Sequence, residues 1–107
     1  MHGGGYLGAY SGRIDHAWGA RSDSHGALQQ SPTTYLKRIY VDTVVFTPHQ
    51  LAALVELFGP DHVLLGTDYP YDMAEYDPIG QIAAVEGLDA ATVAALVGGN
   101  AKKLLGL

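Results

Sequence analysis

An α/β fold organised around a parallel sheet is what this sequence predicts, with only part of that sheet encoded in its 107 residues. Two observations carry the prediction. The stretch from Ile39 to Leu65 reads as strand, helix, strand, the unit that joins parallel neighbours by a right-handed crossover. The second apolar run, Val63-Leu64-Leu65, leads directly into Gly66-Thr67-Asp68, so an acid stands at the exit of a buried strand, where parallel α/β folds keep their chemistry.

The elements follow in order. His2 to about Gly12 is rich in glycine and tyrosine. Residues Arg13 to Arg21 suit a helix, with Ile14, Ala17 and Trp18 on one face. Ser22 to Thr34 has few large apolar groups and reads as a long loop. Ile39-Tyr40-Val41-Asp42-Thr43-Val44-Val45 is β-branched and aromatic, hence a strand. Thr47-Pro48-His49-Gln50 then offers an N-cap, a proline at the first helical position and a capping-box glutamine. Leu51, Leu54, Val55 and Phe58 continue as an apolar stripe until Gly59-Pro60 stops the helix. His62 to Leu65 is the second strand. Asp77-Pro78 opens a helix carrying Ile79, Ile82 and Ala83, Asp89 caps one carrying Val93, Leu96 and Val97, and Asn100 caps a last short one through Leu105.

Two strands leave unpaired edges on both sides, and a sheet that small rarely stands alone. The expectation is a C-terminal piece of a larger enzyme, one partial domain over residues 1–107, whose remaining strands come from elsewhere. A net charge of -5 argues against a nucleic-acid partner, which calls for a basic face. No run approaches the ~20 apolar residues of a membrane span, and no basic leader is visible, so a cytoplasmic protein without a membrane partner is expected. Without cysteine, disulfides and thiolate chemistry are excluded.

Asp68 is the strongest candidate for chemistry, able to bind a metal or accept a proton; the competing reading is a turn residue before Tyr69-Pro70. The imidazole of His2 suits metal binding or proton transfer near neutral pH, and Gly3-Gly4-Gly5 lets backbone pass close to a ligand. Against that stands a plain free chain end. Arg13 suits a bidentate grip on a carboxylate, although a solvated surface arginine is the commoner case. Asp42 lies inside an apolar strand, where a bare charge is costly, so a structural pairing with a cation or backbone amides is expected. His16 and Trp18 read as packing or dimer residues, and His25, His49 and His62 as solvated ones. HxH, HExxH, GxSxG and P-loop patterns are all missing.

Together, His2-Gly3-Gly4-Gly5, Gly12-Arg13-Ile14-Asp15-His16, Tyr40-Val41-Asp42-Thr43, Leu65-Gly66-Thr67-Asp68-Tyr69-Pro70 and Gly99-Asn100-Ala101 resemble the C-terminal part of the amidohydrolase superfamily. The branch they resemble is that of the aminocarboxymuconate-semialdehyde decarboxylases. The resemblance covers essentially the whole chain and implies the last two strands, with covering helices, of a (β/α)8 TIM-type barrel. A complete barrel of that kind takes ~250 residues. It implies a divalent metal, zinc by preference, held in part by Asp68, with His2 as acid or base and Arg13 gripping a substrate carboxylate across a dimer interface.

The family's HxH pair and a further metal-binding histidine have no counterpart here, so the chain alone is expected to be inactive. The implied reaction is decarboxylation of a small unsaturated or aromatic carboxylic acid. Hydrolysis or hydration by the same type of centre is the alternative. A third reading is a non-catalytic module, stable through self-association or through binding the rest of the barrel.

Overall fold

A computed structural model describes residues Met1–Leu107. In chain order the elements are α1 (Leu7–Ala20), short 3-10 turns at Ser22–Ser24 and Pro32–Arg38, β1 (Val41–Asp42), α2 (Pro48–Phe58), β2 (Val63–Leu64), α3 (Pro78–Ala83), α4 (Ala90–Ala94), a π-helical turn at Ala95–Gly99, and α5 (Asn100–Leu104). The strands β1 and β2 are parallel neighbours, with Val41 opposite Val63 and Asp42 opposite Leu64. A third parallel position is added by His2, which bridges to Asp42 on the other side of β1. The crossover unit expected between Ile39 and Leu65 is present, with α2 as its helix.

Helix α2 matches its sequence signals at both ends. Pro48 occupies the first turn, and Gly59 closes the helix at φ 95, its N–H donating to the Val55 carbonyl. The capping box is different from expectation. Thr47 is the N-cap residue but makes no side-chain bond to backbone; its hydroxyl donates to Gln50 Oε1 at 2.7 Å. Asp77 and Asp89 do cap as expected, accepting from the N–H groups of Gly80 at 2.9 Å and Thr92 at 2.7 Å.

Leu51, Leu54 and Phe58 of α2 pack with Val41, Val63, Ile82 and Leu96 to form the core. Phe58 is wholly buried, which stabilises the fold by ~1.5–3 kcal/mol relative to an exposed ring. The turn after His2 is fitted to this core. Gly3, Gly4 and Gly5 have φ of 53, 75 and 60°, and a Cβ on Gly4 would stand 2.8 Å from Phe58 Cζ.

Four further expectations are corrected. The first helix starts at Leu7, six residues before Arg13, because its packing on α2 and on the 32–38 turn outweighs the poor propensity of Gly8 and Gly12. The 22–34 loop contains turns of 3-10 helix, and the second runs on to Arg38. Both strands are shorter than their apolar runs. The regular ladder ends at Thr43 N–H to the Leu64 carbonyl, after which the Thr43 hydroxyl takes over the pairing. Finally, Asn100 is not a cap. Its side chain is buried and donates from Nδ2 to the carbonyls of Pro60 at 2.7 Å and Val63 at 2.8 Å, tying α5 to the start of β2.

Candidate active site

The site stands at the ends of three parallel positions: His2, the end of β1, and the loop that follows β2. Backbone pairing sets His2 beside Asp42. Beyond Leu64, the chain is held by Thr43, which is fully buried. Its Oγ1 accepts from the Gly66 N–H at 3.1 Å and donates to the Gly66 carbonyl at 3.3 Å. Gly66 is crowded against Asp42: a Cβ there would lie 2.9 Å from Asp42 Cβ. Only glycine lets the two segments approach so closely. Two residues on, Asp68 takes φ 59, a left-handed conformation that aspartate tolerates better than most residues.

These constraints place His2 between two carboxylates. Its Nδ1 lies 2.7 Å from Asp42 Oδ2, and its Nε2 lies 3.1 Å from Asp68 Oδ1. The other oxygen of Asp42 accepts two backbone N–H groups, from Gly3 at 3.0 Å and Val44 at 3.1 Å. The backbone amides expected for Asp42 from its strand position are thus found, with the His2 ring on its other oxygen. The hydrogen bond and charge of Asp42 raise the His2 imidazole above its ordinary 6.5, and Asp68 adds to the effect. His2 keeps 56 % of its side chain exposed, against 21 % for Asp42 and 23 % for Asp68. The imidazole is therefore both charge-coupled and reachable from solvent.

Arg13 is not brought to this cluster. It lies on an exposed face of α1 and forms no salt bridge within the chain. His16 is exposed on the same helix, while Trp18 is stacked on His25 with ring centroids 4.8 Å apart. His62 pairs with the neighbouring Asp61 at 3.0 Å and packs on Tyr40. Among the expected site residues, His2 and Asp68 meet; Asp42 completes the group as a member that sequence reasoning had assigned to structure alone.

The donor set does not make a metal centre. No group of three His, Cys, Asp or Glu side chains is arranged so that it could hold a metal ion. With Nδ1 of His2 held by Asp42, His2 Nε2 and Asp68 offer at most two donors, short of the three protein ligands typical of catalytic zinc. What the cluster can do unaided is hold and move a proton at His2 Nε2.

A family model described as amidohydrolase matches residues 1–107. The 2-amino-3-carboxymuconate-6-semialdehyde decarboxylase of Dictyostelium discoideum is 37% identical over 107 residues, covering 99% of this chain and 30% of that protein. The chain thus spans under a third of the length of this curated relative. The crystal structure of 5-carboxyvanillate decarboxylase LigW from Sphingomonas paucimobilis superposes with a TM-score of 0.82 at 25% identity, covering 99% of this chain and 32% of that one. A dihydroxybenzoic acid decarboxylase from Polaromonas sp. JS666, solved with bound manganese and the inhibitor 2-nitroresorcinol, gives 0.80 at 24% identity, again over 99% and 32%. The matched structures are TIM barrels, so the two parallel strands and their helices are a segment of that fold.

Proposed function

The chain belongs to the amidohydrolase family, and from that premise we propose that its residues form part of the active site of a decarboxylase acting on a small unsaturated or aromatic carboxylic acid. The observation that carries this reading is His2 held between Asp42 and Asp68 at the strand ends, in a chain whose relatives are named as decarboxylases. His2 Nε2 is the group that gives or takes the proton when a carbon–carbon bond to carboxylate is broken. Asp68 would supply one ligand to a divalent metal, zinc by preference, whose remaining ligands would lie outside these residues. Arg13, free of partners within the chain, grips a substrate carboxylate presented from a neighbouring subunit. The residues present here do not complete catalysis by themselves.

The test is carbon dioxide release by a complete barrel that contains these residues, assayed with carboxylated aromatic acids. Release that falls by orders of magnitude in His2→Gln and Asp68→Asn supports the reading. Hydrolysis or hydration without carbon dioxide would replace it by the other chemistry of the family.

A further inference from the structure

We propose that Asp42 is the positioning residue for His2: it holds the proton on Nδ1, so that the neutral imidazole turns a bare Nε2 toward Asp68. Both ring nitrogens face a carboxylate, and geometry decides between them. The contact to Asp42 is the shorter, 2.7 Å against 3.1 Å for Asp68. Asp42 is also the more firmly fixed partner. Its Oδ1 is pinned by the N–H groups of Gly3 and Val44, at 3.0 and 3.1 Å. Gly66 lies against it, so closely that a Cβ there would stand 2.9 Å from Asp42 Cβ. With Oδ1 committed, Oδ2 points at His2 Nδ1, and an ionised carboxylate can only accept there. A neutral imidazole carries one N–H, so placing it on Nδ1 leaves Nε2 as the lone-pair nitrogen.

The same two backbone donors make the idea testable by a single-atom change. In Asp42→Asn the amide oxygen must stay on Gly3 and Val44, because an NH2 group there would face two donors. The NH2 group is then forced toward His2 Nδ1, which must become the acceptor. The proton moves to Nε2. An asparagine at this position thus preserves shape and reverses the tautomer, the logic by which an orienting carboxylate acts through its histidine. The importance of a bare Nε2 rests on the proton-transfer role proposed above; the tautomer itself does not.

The experiment is two-bond 15N–1H correlation spectroscopy of the 107-residue chain, at a pH where His2 is neutral, with its signals identified by their loss in His2→Gln. The expected wild-type pattern is a pyrrole-type Nδ1 and a pyridine-type Nε2, with the two types exchanged in Asp42→Asn. Asp68→Asn should leave the wild-type pattern in place. A wild-type Nε2–H, or a pattern unmoved by Asp42→Asn, overturns the proposal, as does a pattern reversed by Asp68→Asn. Should Asp42→Asn fail to fold, the wild-type and Asp68→Asn spectra decide. Failure here with carbon dioxide release intact would remove only the role of Asp42; the converse would remove only the reaction.

Discussion

Replacing Thr43 by valine should cost this chain more stability than replacing it by serine, although valine preserves the volume and serine does not. Thr43 is fully buried, and its hydroxyl both accepts from the Gly66 N–H at 3.1 Å and donates to the Gly66 carbonyl at 3.3 Å. A neutral hydrogen bond contributes ~0.5–1.5 kcal/mol net, and a buried group left without its partner costs ~1–3 kcal/mol. Valine fills the same space and leaves no cavity, so the loss is that of the polar pairing, about 2 kcal/mol. Serine keeps the hydroxyl and removes one buried methyl, ~1 kcal/mol. Urea unfolding at constant slope gives both values, and ~2 kcal/mol corresponds to roughly 8–16 °C in melting temperature for a domain of this size. A loss below ~0.5 kcal/mol for Thr43→Val would refute the role given to the hydroxyl. So would a Thr43→Ser loss equal to or larger than that of the valine variant, which would mean that packing alone holds the segment leading to Asp68.

Three further outcomes follow from the same contacts. Gly66→Ala would place a Cβ 2.9 Å from Asp42 Cβ, so Asp42 must shift from His2 and the His2 titration midpoint should fall back toward 6.5 in a proton NMR titration. Asn100→Ala strips donors from the carbonyls of Pro60 and Val63 and should cost about 2 kcal/mol in guanidinium unfolding. Because the His2 pKa is raised in the folded chain, its pairing stabilises fully below 6.5 and is lost as pH climbs through the raised value. The stability difference between wild type and His2→Gln should therefore shrink from pH 6 toward pH 9.

Much of the fold was legible because local signals and tertiary demand agree. In α2, a proline start, a glycine stop and Leu51, Leu54 and Phe58 on one face all say the same thing, and the structure buries those three side chains. Around α1 they disagree: glycines at 8 and 12 hide a helix that tertiary packing selects. The site divides in the same way. The position of Asp68 after an apolar strand was readable, since chain order alone supplies it. The partner of Asp42 was not. Its charge inside a strand signalled a partner, but that partner is His2, forty positions away and brought close only by parallel pairing. Asn100 misled for the opposite reason: a residue type suited to capping serves instead as a buried donor to carbonyls 37 and 40 residues distant.

The central claim is that this chain holds one part of a metal-dependent decarboxylase site, its proton-transfer pair, without a metal site of its own. Metal content of the purified chain, measured with its solution mass on the same sample, tests that directly. The expected result, whatever the solution mass, is far less than one equivalent of metal after dialysis, and no change on Asp68→Asn. A monomer that retains near-stoichiometric metal, and loses it in Asp68→Asn, would contradict the claim.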